Sequence, residues 1–367
     1  MNTQIQDEFT FKNGQAMRNR VVLAPMTICA SEPGGYVSQA DIDFFARRSR
    51  SVGMVITGST YVHPLGKSFA ESFSGAEDDK IEGLSRLAKA IKDQGALAIV
   101  QLYHGGRMVL PDLIDGQPVA PSAVKAPRDY LAEPRALKNS EVEQVIEDFL
   151  SAIRRAIQAG FDGVELHGAN TYLIQQFVSP HSNVRQDKWG GSLNNRLRFP
   201  KTLLKRAKQL VKEEADRPFL IGYRFSPEEI EEPGIQLYDT LQLLEQLIYH
   251  QVDYLHISTS DVWRSSIRDS QDSEPVIQKI IKKINGRVPL IGVGQIETKQ
   301  DAQRVLDAGI PLFALGKALL LDPDWAEKVV SGREEEVIRA YRDELQADLA
   351  LPTAFVEDAR SYLEGKD

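Results

Sequence analysis

The amino-acid sequence predicts an α/β fold, a (β/α)8 TIM barrel formed by a single domain over residues 1–367. Eight short apolar runs, helical patterns between them and two long connections that follow strands are the observations behind this prediction. The length is sufficient for one barrel of about 250 residues with long loops added. We expect the barrel to occupy about residues 20–331 and a helical tail to occupy about 332–367.

The eight apolar runs supply the predicted strands. They are residues 21–24, 54–57, 96–102, 163–166, 219–225, 254–257, 290–293 and 312–315. Short runs without a polar face are typical of parallel strands that are buried on both sides. They favour a closed barrel, with an open doubly wound sheet as the alternative.

The clearest helical pattern covers residues 140–160. Its apolar face consists of Val142, Val145, Ile146, Phe149, Ile153 and Ile157. Ser140 and Glu143 have the spacing of a capping box, and Gly160 is suited to end the helix. The sequence therefore predicts a strand and helix alternation.

The same alternation continues through helical patterns over 79–94 and 298–308. Two connections, 103–139 and 168–194, are too long to be plain turns. Both follow strands, and in a parallel barrel they rise over the C-terminal face, where such enzymes keep their active sites. We therefore expect these loops to shape a binding site.

Composition limits the classes of partner. The chain has 44 basic and 52 acidic residues, a net charge of -8 and no basic run, which argues against nucleic acid and favours a small molecule. The single cysteine, Cys29, excludes an intramolecular disulfide and a four-cysteine metal or iron–sulfur site. Residues 1–14 lack a signal-peptide pattern, so we expect a cytoplasmic protein with no membrane segment and no metal.

Polar residues stand at the ends of five predicted strands. They are Thr27, Ser59, Gln101, His167 and Arg224. In a parallel barrel these positions converge on one mouth, which is the pattern of an active site. The alternative for Gln101 and Arg224 is that they only satisfy polar layers inside the barrel.

Glycines follow the last two predicted strands. Gly292 and Gly294 flank the end of one strand, and Gly316 precedes Lys317 at the end of the next. Glycine lets backbone N–H groups approach phosphate oxygens, and lysine adds a positive charge. A phosphorylated ligand is indicated, although glycine at such turns can also serve backbone conformation alone.

Four segments resemble the old yellow enzyme family. They are NRVVLAPMT at 19–27, VQLYHGGR at 100–107, ELHGANTYLIQQFVSPHSNVRQDKWGGSLNNRLRF at 165–199 and IGVGQI at 291–296. The resemblance covers nearly the whole barrel. It implies FMN across the barrel mouth, reduced by NADH or NADPH, with hydride passing from flavin N5 to an activated alkene.

The resemblance also implies which residues hold FMN. The ring would contact Pro25, Met26, Thr27, Ser59, Gln101 and Arg224, and the phosphate would contact Gly292, Gly294, Gly316 and Lys317. Thr27 would donate its hydroxyl to the flavin O4 side, Ser59 would use backbone groups and Gln101 would use both ends of its amide. Arg224 beside N1 and O2 would stabilise the anionic reduced flavin.

For the reaction, the resemblance implies that His167 and Asn170 donate hydrogen bonds to a substrate carbonyl and that Tyr172 protonates the α-carbon. Enones, enals, maleimides and nitroalkenes are the expected substrates. The alternative is structural: His167 would cap the helix or order the long loop, Asn170 would form an Asx turn and Tyr172 would pack on the rim.

Several positions differ from the family pattern. Thr27 stands where one branch of the family has cysteine, so a thiol does not control the flavin there. Gly58 and Ser59 replace an acidic residue and a small one, and Lys317 replaces an arginine, which removes a bidentate contact to phosphate. Cys29 could line the pocket or be a small buried side chain.

Loops 103–139 and 258–273 would shape the substrate pocket, with Tyr103, Arg107 and Trp263 as candidate contacts. The sequence does not distinguish NADH from NADPH. The tail could pack beneath the barrel or join a neighbouring subunit, so a homo-oligomer is possible.

Three other functions remain open from the sequence. One is an FMN barrel dehydrogenase or demethylase with a different substrate, and the single cysteine argues against the iron–sulfur form of such enzymes. Another is a flavin-binding redox sensor or partner protein. The last is a flavin-free phosphosugar barrel, which would need the glycine sites but not Thr27 or Gln101.

Overall fold

A computed structural model describes residues 3–364 of the chain. Its strands are β1 (Phe9–Thr10), β2 (Ala16–Met17), β3 (Val21–Leu23), β4 (Met54–Tyr61), β5 (Leu97–Tyr103), β6 (Val119–Ala120), β7 (Arg135–Ala136), β8 (Gly163–Gly168), β9 (Leu220–Phe225), β10 (Tyr254–Ile257), β11 (Leu290–Val293) and β12 (Leu312–Leu315). Eight of these strands form a closed barrel in the order β10-β11-β12-β3-β4-β5-β8-β9, and all neighbouring barrel strands are parallel.

The helices lie between the strands and cover the barrel. They are α1 (Gln39–Ser49), α2 (Ile81–Lys92), α3 (Asn139–Gln158), α4 (Leu173–Val178), α5 (Leu193–Arg196), α6 (Arg198–Glu214), α7 (Leu237–Tyr249), α8 (Val276–Ile284), α9 (Lys299–Asp307), α10 (Lys317–Leu321), α11 (Trp325–Val330) and α12 (Thr353–Glu364). The predicted (β/α)8 barrel is confirmed, and the open sheet is not formed. Every predicted strand is present, because uniformly apolar runs are stable only when both faces are buried.

The hairpin of β1 and β2 covers the amino ends of the barrel strands. Its buried residues include Phe11, whose ring lies 6.2 Å from that of Tyr254. The Gln15 side-chain amide donates to the carbonyl of Asp162, just before β8, over 3.0 Å. The hairpin thus closes the end of the barrel opposite the long loops.

Strand β4 contains an irregularity that matters for the mouth. Its register against β5 shifts between Ile56 and Ser59. Gly58 lies in this bulge, and a Cβ atom there would approach the Met26 carbonyl oxygen to 2.5 Å. Bulges redirect side chains near barrel rims, and here the bulge brings β4 against the segment that follows β3.

The start of α3 differs from the prediction. The helix begins at Asn139, and the Lys138 backbone N–H donates to the Glu141 carboxylate over 2.7 Å. The capping box predicted for Ser140 and Glu143 is therefore wrong. Glu141 also pairs with Arg135 of β7, just before the helix, and this local contact supports the earlier helix start.

The helix ends agree better with the sequence patterns. Gly160, Gly95 and Gly309 adopt φ values of +88°, +82° and +86° after their helices, which glycine allows without strain. At the start of α9, Thr298 and Asp301 form a reciprocal capping box. The residues at these helix ends were therefore sufficient to predict them.

The two long loops pack against each other over the C-terminal face. Strands β6 and β7 pair within the first loop, and α4 and α5 lie in the second. Arg185 of the second loop donates to the Pro121 carbonyl over 2.8 Å and to the Asn139 side chain over 2.9 Å. This side chain holds the loops together.

The C-terminal tail packs on its own barrel at the carboxyl ends of the strands. Val356 and Leu363 of α12 are buried, and the Tyr362 ring lies 4.9 Å from the Lys317 ammonium. Of the two alternatives for the tail, packing beneath the barrel is not the arrangement that the structure shows. Residues 365–367 of the predicted tail lie outside the described residues.

Membrane insertion through a helix is not indicated for residues 3–364. None of the helices in this part of the chain combines the length and the apolar character that crossing a bilayer requires.

Candidate active site

His167, Asn170 and Tyr172 come together at the carboxyl end of β8. His167 is the second-last residue of this strand and is 2% exposed. Its ring lies edge-on to the Tyr172 ring with 5.0 Å between centroids. The short segment between β8 and α4 thus gathers the predicted trio on one side of the mouth.

His167 is placed as a neutral hydrogen-bond donor. Its Nδ1 accepts from the Ala169 backbone N–H over 3.3 Å, which puts the ring hydrogen on Nε2. Burial, followed by the charges of Arg224 and His256, holds the pKa of His167 well below its ordinary value. The imidazole therefore keeps one N–H available at neutral pH.

Asn170 has its side-chain oxygen occupied. Ser258 donates its hydroxyl to the Asn170 Oδ1 over 2.7 Å, which leaves the Nδ2 hydrogens for a ligand. The Asn170 backbone N–H donates to the Ser226 hydroxyl over 2.9 Å. Asn170 and Thr171 have φ values of 55° and 65°, so two consecutive residues hold a left-handed conformation.

Tyr172 is half-buried among aromatic rings. The rings of Tyr103 and Tyr172 lie 5.2 Å apart, edge to face. Burial raises the pKa of Tyr172 to about 12, although Arg128 and Arg224 lower it in part. The phenol remains protonated at neutral pH and can donate its proton.

Thr27, Ser59 and Gln101 form a connected wall across three neighbouring strand ends. The Ser59 backbone N–H donates to the Thr27 hydroxyl oxygen over 3.1 Å. The Ser59 hydroxyl donates to the Gln101 side-chain oxygen over 3.3 Å. The Thr27 hydroxyl hydrogen remains for a ligand, whereas the Ser59 N–H is already engaged. Pro25 and Met26 continue this wall and are half-buried.

A buried polar network lies under this wall. The Gln101 amide donates to the Glu165 carboxylate over 2.8 Å, and the His256 Nδ1 lies 3.0 Å from the other carboxylate oxygen. Sequence reasoning missed Glu165 and His256 because both stand in runs that were read as uniformly apolar. The signal was available: Glu165 has the same strand parity as His167, so both face the same side of β8.

Arg224 lies beside this network, opposite His167 of β8 and His256 of β10 in the barrel register. Its side chain is buried, and its Nε has no hydrogen-bond partner among the described residues. Burial lowers the pKa of Arg224, and Glu165 raises it. A guanidinium with an unpaired buried nitrogen is suited to an electron-rich ligand edge.

The predicted phosphate site is a cavity of about 430 Å³ at the ends of β11 and β12. Gly294, Gly316, Lys317 and Tyr362 are among its lining residues. Gly294 has φ +114°, and a Cβ there would lie 2.8 Å from the backbone of Ser260. Close approach of backbone therefore requires glycine at this position.

Gly292 is the exception among the predicted phosphate residues. It lies inside β11, where a Cβ would meet Val262 and Val305 at 3.4 Å, and the cavity is lined by Gly294 instead. The other three predicted phosphate residues, Gly294, Gly316 and Lys317, line the same cavity.

Tyr103, Arg107 and Trp263, the predicted substrate contacts, each contact another residue of the protein. Tyr103 is fully buried, and its hydroxyl accepts from the Ser68 N–H over 2.9 Å. Arg107 is buried, and its guanidinium lies 3.0 Å from His181 Nδ1. Trp263 packs under the Arg304 guanidinium at 4.2 Å.

Cys29 is half-buried at the mouth, with φ 47°. Burial raises the pKa of the Cys29 thiol, and the nearby carboxylates of Asp358 and Glu71 raise it further. The thiol therefore remains protonated and weakly nucleophilic at neutral pH.

Fold and site together define a (β/α)8 barrel with a polar candidate active site at the carboxyl ends of its strands. Residues 7–336 match the model of a family described as NADH:flavin oxidoreductase / NADH oxidase. The chain belongs to this family, which uses FMN and a nicotinamide as electron donor.

Among curated relatives, the chain is 47% identical over 340 residues to an NADH:fumarate oxidoreductase of Klebsiella pneumoniae, covering 92% of this chain and 37% of that protein. It is 44% identical over 332 residues to a probable NADH-dependent flavin oxidoreductase, YqiG, of Bacillus subtilis, covering 90% and 89% of the two chains. An NADH:acrylate oxidoreductase of Vibrio harveyi is 44% identical over 359 residues, with 96% and 36% covered. The chain thus spans little more than a third of the first and third of these proteins.

Solved structures agree with the family assignment. Morphinone reductase superposes with a TM-score of 0.79 at 26% identity, covering 97% of this chain and 93% of that one. An old yellow enzyme homologue of Zymomonas mobilis gives a TM-score of 0.78 at 26% identity, covering 90% and 93%. The resemblance to the old yellow enzymes is therefore confirmed.

The residues present at the mouth fit FMN. The unpaired Nε of Arg224 and the available hydroxyl hydrogen of Thr27 lie where an electron-rich ring edge would be bound. The cavity at Gly294, Gly316 and Lys317 offers glycine backbone and a cation for a phosphate. Membership in an FMN family also removes the reason to consider a flavin-free phosphosugar barrel.

Proposed function

We propose that this protein is an FMN-dependent ene-reductase that uses NADH or NADPH to reduce activated C=C bonds of enones, enals, maleimides and nitroalkenes. A single FMN-binding domain, barrel and tail together, would carry the activity. The observation that carries the proposal is the convergence of His167, Asn170 and Tyr172 beside the wall of Thr27, Ser59 and Gln101. These residues supply two N–H donors and one neutral acid at a single mouth.

FMN, when bound, would supply the hydride from its N5 position after accepting one from the nicotinamide. The wall of Pro25, Met26 and Thr27 would support the ring, and Gln101 and Arg224 would contact its pyrimidine edge. Arg224 would stabilise negative charge at that edge by its fixed cation. Gly294, Gly316 and Lys317 would hold the phosphate.

His167 and Asn170 would bind the substrate carbonyl. The His167 Nε2–H and the Asn170 Nδ2–H are fixed by their partners, so neither group has to reorganise as negative charge develops on the oxygen. A preplaced donor in a buried site, such as His167, is worth about 3 kcal/mol of transition-state stabilisation. Nitro and imide oxygens present the same acceptor chemistry.

Tyr172 would protonate the α-carbon. Its phenol is neutral because burial raises the pKa to about 12, and it lies next to the His167 ring. Hydride and proton would then reach the alkene from separate groups.

The proposal is tested by anaerobic stopped-flow spectroscopy of the FMN-loaded protein. The flavin is first reduced with NADH or NADPH and then mixed with cyclohexenone, N-ethylmaleimide or a nitroalkene. We expect rapid return of the oxidised flavin band, and slower return in a variant combining His167→Ala with Asn170→Ala. Reduced flavin that survives every alkene would refute ene-reductase activity.

In a second candidate function, the protein accepts electrons from a nicotinamide and passes them to another protein or domain. The observation that favours it is that this chain corresponds to little more than a third of the NADH:fumarate and NADH:acrylate oxidoreductases. The barrel would then oxidise the nicotinamide while another protein or domain reduces the substrate. In the same experiment, reduced flavin would persist with alkenes but be rapidly reoxidised by ferricyanide.

A further inference from the structure

The Glu165 carboxylate is fully buried inside the barrel, and each of its oxygens has a partner. The Gln101 amide nitrogen donates to one oxygen over 2.8 Å, and the His256 Nδ1 lies 3.0 Å from the other. Gln101 and Glu165 are direct neighbours in the register of β5 and β8. Two buried strands thus place a carboxylate immediately behind the wall that would contact the flavin.

Glu165 is charged in this position. Burial alone raises the pKa of Glu165, but His256, Arg224 and Gln101 outweigh it and hold the pKa below its ordinary value. A carboxylate without such partners would be protonated in the barrel interior. The charge of Glu165 is therefore part of the electrostatic field at the mouth.

The carboxylate determines the orientation of Gln101. An ionised carboxylate can only accept hydrogen bonds, so the end of Gln101 that faces Glu165 must be its NH2 group. The oxygen end then faces Ser59, whose hydroxyl donates to it. One amide hydrogen and one oxygen lone pair of Gln101 remain to contact a ring edge in a defined direction.

The same carboxylate offsets the charge of Arg224. Arg224 stands on β9 two residues beyond Gly222, the register partner of Glu165, and the charge of Glu165 raises the pKa of Arg224. The field that Arg224 exerts at the mouth is therefore weaker than that of a lone buried guanidinium. A flavin that becomes anionic on reduction would respond to this compensation.

We propose that Glu165 is a positioning residue that orients Gln101 and compensates Arg224, and thereby sets the reduction potential of the bound flavin. This inference rests on the proposed placement of the flavin pyrimidine edge against Gln101 and Arg224. A purely structural role would be different, because it would change folding stability without changing the potential of the flavin that is bound.

The test is the reduction potential of FMN-loaded Glu165→Gln, measured by equilibration with a reference dye. Glutamine preserves the shape of the side chain but removes its charge, so Arg224 acts on the flavin without compensation. We expect a more positive potential, with reduced FMN favoured over oxidised FMN about tenfold more than in the wild type, which is about 30 mV for a two-electron couple.

Asp162→Asn is the matched control. Asp162 precedes the same strand, accepts from the Ala98 N–H over 2.9 Å and lies 3.0 Å from the Lys92 ammonium. The substitution removes one largely buried carboxylate charge at the opposite end of β8. Its flavin potential should equal that of the wild type. Equal potentials in wild type and Glu165→Gln would overturn the inference.

Glu165→Asp covers the case in which Glu165→Gln does not retain FMN. Aspartate keeps the charge, but its shorter side chain withdraws the oxygens from Gln101. The dissociation constant for oxidised FMN should therefore rise, and the reduction potential should change less than in Glu165→Gln. Wild-type affinity in Glu165→Asp would overturn the positioning of Gln101. Failure of the wild type itself to bind FMN would instead contradict the proposed function.

Discussion

The acidity of Tyr172 is determined mainly by its burial. Because burial raises its pKa to about 12, deprotonation should not limit the reaction of the reduced protein with alkenes between about pH 6 and pH 10. Tyr172→Phe removes the proton donor and should slow this half-reaction about 100-fold, with flavin reduction by the nicotinamide unchanged. Stopped-flow measurement of both half-reactions checks this, and equal slowing of the two would contradict it.

Asp41 at the start of α1 predicts a pH dependence of stability. Burial raises its pKa from 3.8 to about 6, although Ser38 donates to the carboxylate. The folded state therefore binds the proton more tightly than the unfolded state, which stabilises the protein. This contribution is fully present below about pH 4, is lost as pH rises through 6, and amounts to about 3 kcal/mol at most.

The measurement is the free energy of unfolding in urea from pH 4 to pH 8 for wild type and Asp41→Asn. Asparagine keeps a side-chain oxygen for Ser38 but does not titrate. The wild type should lose stability relative to Asp41→Asn as pH rises. Parallel curves would show that Asp41 is not responsible.

At the level of elements, the bulge of β4 holds the segment that follows β3. Because a Cβ on Gly58 would lie 2.5 Å from the Met26 carbonyl, Gly58→Ala should displace Pro25–Thr27 and weaken FMN binding about tenfold or more. Gly83→Ala in α2 is the control, since its Cβ would meet Val37 at 3.3 Å, away from the mouth. Titration of FMN fluorescence measures both, and unchanged affinity in Gly58→Ala would show that the bulge does not support the flavin wall.

The turn between β8 and α4 stores backbone strain. Thr171 is β-branched, has φ 65° and follows Asn170 in the same left-handed conformation. Such a residue costs about 1–2 kcal/mol, which exceeds the entropy that glycine adds to the unfolded chain. Thr171→Gly should therefore raise the free energy of unfolding, by up to about 1 kcal/mol, and Asn170→Gly should raise it less. The free energy of unfolding in urea measures both effects. A lower value for Thr171→Gly than for the wild type would show that the backbone of this turn is not strained.

The strands and the helix ends were the most predictable elements. Apolar runs such as 254–257 indicate burial by themselves, and Gly309 indicates a helix end by its backbone freedom. The start of α3 was predicted too late in the sequence, because Glu141 has the same spacing to Lys138 as Glu143 has to Ser140, and it also pairs with Arg135 of β7 just before the helix. For Glu165, the strand parity with His167 was visible in the sequence, but its partners come from two other strands and could not be derived from it.

At the level of the whole molecule, the tail is part of the mouth. Deleting residues 353–364 would remove Tyr362 from the phosphate cavity and from the Lys317 ammonium. We expect FMN to dissociate about tenfold faster, because a cation–π contact and a wall of the cavity are lost together. Tyr362→Leu should have a smaller effect, since it keeps apolar contact area. Release of FMN after dilution, followed by fluorescence, measures this, and an unchanged rate would show that the tail does not retain the cofactor.

The position of this tail could not be derived from its sequence. The pattern of 353–364 indicates a helix with an apolar face, but it does not specify which surface that face covers. Burial of Val356 and Leu363 depends on the shape of the assembled barrel. The mouth residues themselves were largely predictable, since parallel strands bring their carboxyl ends together whatever the loops do.

The location of Cys29 gives the protein a built-in reporter group. It is the only cysteine of the sequence, and it lies close enough to Asp358 of α12 for that charge to raise the thiol pKa. A maleimide dye or a spin label would attach at this one site, at the junction of tail and mouth, and faster at alkaline pH, where more of the thiol is ionised. A probe at this site would report on the contact between α12 and the mouth, without any engineered substitution.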